Sequence, residues 1–262
     1  MTIAKKVGLF IALTLALGFT IHQIELRRFF PSKAETFHHP SIETSSIQCP
    51  ATSVSYTPDN TVFLVDFHYV IAQMDWKEAW SNFSKHPNKF KVSMRLVSYL
   101  FKKVSGFKND KESILERYLN KNSTNKKYLD SNTKLINSYK LDHNTVELLR
   151  ELKQKGYKLF FFSDMLPETL AVQKERQPEL FKLFYAINIR APQNDFASKL
   201  TAERYIDMKE FVTKKLGKAP EHYLFLDDKK ANAKEAYKAG ICSIIFTTAT
   251  QAEKVLRKLK IL

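Results

Sequence analysis

Cysteine is scarce in this chain of 262 residues, which contains only Cys49 and Cys242. Two cysteines so far apart form neither a disulfide framework nor a cysteine-based metal site. A single bridge between them is possible if the chain is exported. However, Cys242 lies in the apolar segment 241–246, where a small buried hydrophobe is the more common role of cysteine. The sequence leaves their pairing open.

Acidic residues are also few relative to basic ones, with 27 Asp and Glu against 42 Lys and Arg and a formal net charge of +15. Such an excess is found in proteins that bind nucleic acid or anionic membranes. Here the lysines are spread along the chain rather than gathered into one run, so a nucleic-acid partner is not expected. A positive field also attracts small anionic substrates, including phosphorylated ones.

The N-terminus carries an uncharged apolar run at residues 7–21, with Lys5 and Lys6 before it and Arg27 and Arg28 after it. A basic stretch followed by an apolar one is the arrangement of an export signal. The run of 15 residues is shorter than the ~20 residues of a comfortable membrane span. Residues 1–33 are therefore predicted to be a signal peptide or a membrane anchor, which makes the protein exported or membrane-anchored. Its orientation stays open because basic residues flank both ends.

The hydrophobic pattern divides the rest of the chain, residues 34–262, into segments. Residues 34–60 are rich in Ser, Thr, Pro and His without an apolar period, which is typical of a linker. Segments 61–72 and 141–249 alternate apolar strands with amphipathic helices, and this pattern predicts an α/β core of three layers around a mostly parallel sheet. Between them, residues 73–140 show helical spacing and predict an all-helical cap inserted after the first strand. Residues 250–262 are predicted to form a C-terminal helix.

Polar side chains follow three of the predicted strands. Asp66 ends the apolar run 61–65, Ser163 ends the run 157–162, and Asp227 and Asp228 end the run 223–226. A loop between the later strands carries Lys199. Because the carboxyl ends of parallel strands share one edge of the sheet, these groups are expected to converge. Carboxylates suit Mg²⁺, and a hydroxyl and an ammonium group suit phosphoryl oxygens.

In the order of these groups the chain resembles the haloacid dehalogenase superfamily over about residues 62–246. That family has Asp-x-Asp after the first strand, Ser or Thr after the second, then a Lys and a late acidic pair. The strongest part is residues 223–240, where these residues fall at the family's usual spacings: Asp227, Asp228, Asn232, Ala236 and Gly240. Lys199 is assigned through Tyr205, since a tyrosine often follows the family lysine. The cap matches the family's lid.

The resemblance implies a Mg²⁺-dependent hydrolase, in particular a phosphatase of small phosphomonoesters that forms an aspartyl-phosphate. Asp66 corresponds to the nucleophile and a metal ligand. Ser163 and Lys199 correspond to the groups that bind the phosphoryl oxygens, and Asp227 and Asp228 to the acids that hold the metal.

One position departs from the family pattern. Phosphatases of the family carry a second Asp two residues after the nucleophile as general acid/base, and this chain has His68 there. The family also uses the main-chain carbonyl of this residue as a metal ligand, which a histidine still offers. The imidazole is a competent acid/base near neutral pH, or it is only a polar cap on the strand. Two classes therefore remain: an active hydrolase, on phosphate esters or on another bond, and a binding or scaffold protein that has lost turnover.

Overall fold

The computed structural model describes residues 47–49, 55–85, 134, 136–191 and 198–262. The predicted signal peptide or anchor at 1–33 and most of the predicted cap at 73–140 lie outside these residues. Among the described helices, none is both long enough and apolar enough to cross a membrane.

Strands and helices alternate along the described chain, as the hydrophobic pattern predicts. The strands are β1 Ile47–Gln48, β2 Thr61–Val65, β3 Ala72–Met74, β4 Tyr139–Leu141, β5 Lys158–Ser163, β6 Ala186–Ile189, β7 His222–Asp227 and β8 Cys242–Ile245. The helices are α1 Trp76–Ser84, α2 His143–Gln154, α3 Pro167–Arg176, α4 Pro178–Phe181, α5 Glu203–Leu216, α6 Lys230–Lys238 and α7 Ala249–Lys258.

Six strands form the main sheet in the order β1-β8-β7-β2-β5-β6. All neighbouring pairs are parallel except β1 with β8, which is antiparallel. The predicted mostly parallel α/β sheet is confirmed. The strand that ends at Asp66, β2, lies at the centre between β5 and β7, so its carboxyl end is flanked on both sides by the strands that carry the other polar groups.

The sheet is buried on both faces, which explains why its strands are continuously apolar. Alternate residues of β2 enter different core clusters: Phe63 and Val65 pack with residues of α2 and α7, whereas Val62 and Leu64 pack with residues of α5 and α6. This alternation follows from the two-residue repeat of a strand. Helices on both faces of the sheet give the three-layer architecture.

Local signals fix the helix that precedes β5. The side chain of Asp142 accepts hydrogen bonds from the backbone N–H of Asn144 at 3.1 Å and from the hydroxyl of Thr145 at 2.9 Å, which satisfies donors at the start of α2. Gly156, with φ of 91°, follows its end, and only glycine adopts this backbone region without strain. These signals set where β5 begins and hence where Ser163 ends it.

The structure differs from the sequence prediction at the two junctions of the cap. Residues 73–140 are predicted to be wholly helical, yet β3 and β4 pair antiparallel at these junctions, with Met74 opposite Tyr139. The helix predicted next to the first junction is present as α1. A three-residue strand that pairs with a partner more than 60 residues away has no local period to reveal it.

A second difference lies in the predicted linker. Ile47 and Gln48 form an edge strand opposite Ile244 and Ser243, so part of 34–60 belongs to the sheet. Directly after it, Cys49 forms a disulfide with Cys242 of β8. The buried position expected for Cys242 is present, but its thiol is paired rather than free.

Candidate active site

The carboxyl ends of β5, β2 and β7 deliver the predicted residues to one edge of the sheet. Ser163 is the last residue of β5, Asp66 follows β2, and Asp227 is the last residue of β7. The backbone N–H of Asp66 donates to the carbonyl of Leu226 at 3.0 Å, which holds the two acidic strand ends side by side. Ligand atoms of Asp66, Asp227 and Asp228 lie within 4.8 Å of one another. The predicted convergence is therefore present.

Lys199 reaches this cluster from the loop before α5 and is almost completely buried, with 1% exposed. Its Nζ lies 2.9 Å from Oδ1 of Asp66 and 2.6 Å from Oδ2 of Asp227. Burial would lower the pKa of Lys199, but the charges of Asp227 and Asp66 outweigh burial and raise the pKa above its ordinary value. The lysine is thus a fixed positive charge between two carboxylates.

Asp227 has its acceptor capacity filled by the protein itself. Its Oδ1 accepts from the backbone N–H of Lys229 and from Nδ2 of Asn232, both at 2.9 Å. Its Oδ2 accepts from Lys199 at 2.6 Å and from Asn232 at 3.0 Å. A carboxylate offers about four acceptor sites, so all of them are used. Asp227 therefore orients Lys199, and it also lies with Asp66 and Asp228 in the group of residues that could hold a metal ion.

Asp228 differs from its neighbour. Its Oδ1 is buried and makes no hydrogen bond within the described part of the chain. Burial, followed by the charge of Asp227, raises the pKa of Asp228 to about 7. An unpaired buried carboxylate oxygen is unfavourable unless a ligand supplies the missing partner. Together with Asp66, it gives the hard oxygen donors that Mg²⁺ prefers, so the residues fit a divalent cation.

Ser163 provides a second unpaired group. Its side chain is fully buried, and its Oγ has no hydrogen-bond partner among the described residues. A hydroxyl at the end of the strand next to Asp66 can donate to an anion held at the carboxylate. The phosphoryl-binding role that the resemblance implies for Ser163 stays a prediction.

Asp66 has the electrostatics of a nucleophile. Burial alone would raise its pKa, but the positive charges of Lys199 and then Lys229 outweigh it, and the pKa lies below its ordinary value. The group is therefore a carboxylate at neutral pH. Since it is buried, it lacks a full hydration shell to shed before attacking an electrophile.

His68 lies in the turn that follows Asp66. Its ring contacts Phe67, with centroids 5.2 Å apart, and Tyr139 of β4, with centroids 4.7 Å apart. Burial lowers the pKa of His68 to about 4, against the opposing charge of Asp66. The imidazole is thus neutral at pH 7 and can accept a proton. The next residue, Tyr69, has φ of 61°, so the backbone turns sharply at this point.

Sequence reasoning missed three contributors to this edge. The spacing in the sequence identifies Asn232 but not its hydrogen bonds to Asp227, and the sequence prediction includes neither Asp164 nor Ser198. Their function depends on tertiary hydrogen bonds across 34 and 35 residues of sequence. Adjacency to Ser163 is the one clue that the sequence offers for Asp164.

The chain matches a family model for haloacid dehalogenase-like hydrolases over residues 41–240. Among solved structures, the putative HAD-hydrolase YfnB from Bacillus subtilis, bound to magnesium, has 17% sequence identity and a TM-score of 0.53, covering 76% of this chain and 98% of that one. A predicted HAD-like family hydrolase from Porphyromonas gingivalis has 19% identity and a TM-score of 0.51, covering 78% and 99%. At these identities the likeness is one of fold. No curated protein matches the chain.

Proposed function

Because the chain belongs to the haloacid dehalogenase-like hydrolases, we propose that it is a magnesium-dependent phosphatase of small phosphomonoesters. The observation that supports this most is the buried ion pair of Asp66 and Lys199, 2.9 Å apart, beside the unpaired groups of Ser163 and Asp228. Nucleophile, phosphate donors and a cation ligand then surround one position.

Asp66 and Asp228 would hold the Mg²⁺ ion, with the main-chain carbonyl of His68 as the further ligand that the family resemblance implies. Asp227 supports them by orienting Lys199. Bound there, Mg²⁺ supplies positive charge that offsets the negative phosphoryl oxygens. The magnesium-bound structure of the Bacillus subtilis neighbour supports this choice of metal.

In the first step a carboxylate oxygen of Asp66 attacks phosphorus, an aspartyl-phosphate forms, and the bond from phosphorus to the ester oxygen breaks. The leaving alkoxide takes a proton from solvent, since neutral His68 is a proton acceptor. Ser163 and Lys199 donate to the phosphoryl oxygens and stabilise their charge in the transition state.

In the second step water attacks the phosphorus of the aspartyl-phosphate. The imidazole of His68 accepts a proton from this water, and the bond from phosphorus to the Asp66 oxygen breaks. Inorganic phosphate leaves, the Asp66 carboxylate is restored, and the imidazolium of His68 releases its proton to solvent. In these two steps His68 is the base that hydrolyses the aspartyl-phosphate, and it is not the acid of the first step.

Activity on a panel of sugar, nucleotide and aryl phosphates tests the proposal, with phosphate release measured with Mg²⁺ and with EDTA. We expect turnover that requires Mg²⁺ and falls by more than ~10³-fold in Asp66→Asn, because the nucleophile is lost. Absence of turnover across the panel contradicts the phosphatase proposal. If a fluoroberyllate phosphate mimic still binds in that case, the protein is the binding or scaffold protein that His68 leaves open.

We also propose that the hydrolase domain works on the oxidising side of a membrane or outside the cell. The N-terminal apolar run supports export, and the Cys49–Cys242 disulfide supports an oxidising compartment, because such bridges are rare in reducing cytosol. The bridge joins residues 193 apart, so in the chain-entropy description it stabilises the fold by about 5 kcal/mol.

Thiol labelling of the full chain, taken from cells that produce and export it, tests this location. A maleimide reagent that adds mass should modify neither cysteine before reduction and both after it, with Cys49→Ser as the single-thiol control. If both thiols react without reduction, the disulfide and the proposed compartment are wrong.

A further inference from the structure

Asp164 directly follows Ser163 and belongs to no role assigned above. Its carboxylate accepts from the hydroxyl of Ser198 at 3.0 Å through Oδ2. It also accepts from the backbone N–H of Lys199, at 3.1 Å to Oδ1 and 3.3 Å to Oδ2. Both oxygens therefore contact the same loop. One side chain at the end of β5 thus holds the hydroxyl of Ser198 and the backbone N–H of Lys199 itself.

The loop needs such an attachment. Lys199 lies outside every helix and strand, and α5 starts only at Glu203. A lysine side chain has four rotatable bonds and loses rotamer entropy when it is ordered. The position of its ammonium group therefore depends on where its backbone is held. The ion pairs with Asp66 and Asp227 hold Nζ, and Asp164 holds the backbone N–H.

We propose that Asp164 is a positioning residue that fixes the backbone of Lys199, and thereby sets the distance of Lys199 Nζ from Asp66 and from the phosphoryl group. The proposal rests on the proposed function of this site. It also explains how Ser163 and Lys199 keep a fixed relative position. Asp164 is adjacent to Ser163 in sequence and accepts a hydrogen bond from the backbone of Lys199, so it connects the two proposed phosphate-binding groups.

The proposed role is mainly geometric, because the charge of Asp164 contributes less to raising the pKa of Lys199 than the charges of Asp227 and Asp66 do. An Asn at this position keeps a carbonyl oxygen that accepts from the Lys199 N–H, and it removes the negative charge. An Ala removes both. A displacement of about 1 Å at a reacting group costs up to ~10²-fold in rate. Loss of the attachment should therefore lower kcat, whereas loss of charge alone should not.

The test compares Asp164→Ala, Asp164→Asn and Ser198→Ala in the full chain. We expect kcat to fall about 10- to 100-fold in Asp164→Ala with a smaller change in KM, and to return to within about threefold of wild type in Asp164→Asn. Ser198→Ala removes one hydrogen bond but leaves the Lys199 N–H bound, so it should change kcat only a few-fold. Wild-type kcat in Asp164→Ala overturns the proposal. Equal loss in Asp164→Asn and Asp164→Ala overturns the geometric role.

Hydrogen exchange gives a measurement that does not depend on activity. The peptide that contains residues 198–200 should exchange faster in Asp164→Ala, while the peptides of β2 and β7 exchange as in wild type. Unchanged exchange at 198–200 contradicts the attachment. If the wild type hydrolyses no phosphoester, the proposed function fails but this exchange measurement still decides the role of Asp164. A drop in the protection of β2 and β7 in Asp164→Ala marks misfolding of that variant. The kcat values of Asp164→Asn and Ser198→Ala, compared with the changes expected above, then test the proposal.

Discussion

The polar residues at the carboxyl ends of β5, β2 and β7, together with Lys199, form a cluster with two halves. The halves differ in how their polar atoms are paired. In one half, Lys199 and Asp227 bind each other and further partners, and every acceptor site of Asp227 is filled. In the other half, the hydroxyl of Ser163 and Oδ1 of Asp228 are buried without a hydrogen-bond partner among the described residues. Asp66 stands between them. Folding alone pairs the polar atoms of the first half, and the proposed function assigns ligands to the second.

The difference has an energetic basis. A buried polar atom without a partner costs about 1–3 kcal/mol, so two such atoms at one edge weaken the fold unless something binds them. The paired half has less of this cost, because the single positive charge of Lys199 lies 2.9 Å from Oδ1 of Asp66 and 2.6 Å from Oδ2 of Asp227 and offsets part of their negative charge. Substitutions in the paired half should therefore affect stability and activity together, whereas substitutions in the open half should affect ligand binding alone.

The largest effect is expected from Lys199→Met. It leaves Asp66 and Asp227 buried without their cation, and breaking a buried ion pair from one side costs about 3–5 kcal/mol. The proposed phosphatase activity should also fall by ~10³-fold, because Lys199 is a proposed donor to the phosphoryl group. Urea unfolding and kcat measure the two effects.

Lys238→Met is the matched control, because the ammonium group of Lys238 pairs with Glu235 at the surface at 2.7 Å with its side chain 51% exposed. This change should cost less than about 1 kcal/mol. A loss of the same size in both variants contradicts the pairing described for Lys199.

Asp228→Asn should show the opposite pattern. Removal of a charge from the open half leaves the metal-free protein as stable as wild type or more stable, since no partner loses its bond. The affinity for Mg²⁺ should fall by about 100-fold or more, because neutral amides are weaker ligands than carboxylates. Calorimetric titration measures the affinity, and unfolding without metal measures the stability. Clear destabilisation of metal-free Asp228→Asn places Asp228 in the paired half.

The strands that form the centre of this site follow directly from the sequence, because β2, β5 and β7 are buried on both faces and are therefore continuously apolar. Their terminal polar residues are recognisable for the same reason. The short strands β1, β3 and β4 are not, since each is set by a distant partner rather than by its own pattern. The division between Asp227 and Asp228 is likewise invisible in sequence, because it depends on which carboxylate Lys199 and Asn232 reach.

Binding of Mg²⁺ should depend on pH through Asp228. Its pKa is raised to about 7 in the folded protein, so the carboxyl is mostly protonated below pH 7 and the ion must displace that proton. The affinity should decrease by up to ~10-fold per pH unit as the pH falls below 7, and it should be constant above that value. Titrations between pH 5.5 and 8.5 (roughly the range that spans this pKa) measure it. The same slope in Asp228→Asn assigns the proton to another group.

The smallest effect on activity is expected from His68→Asp, and it tests whether the neutral imidazole serves only as an acceptor. A carboxylate also accepts a proton, so turnover of aryl phosphates, whose leaving groups need no acid, should stay within about threefold of wild type. Alkyl phosphates need a proton on the leaving oxygen, and their turnover should rise up to ~10-fold because a carboxyl group can supply it. His143→Asp, at an exposed position that begins α2, controls for the added charge. If turnover of aryl phosphates falls by more than ~10-fold, the imidazole itself is required. His68 then acts through a property that a carboxylate lacks, such as its ring contacts with Phe67 and Tyr139.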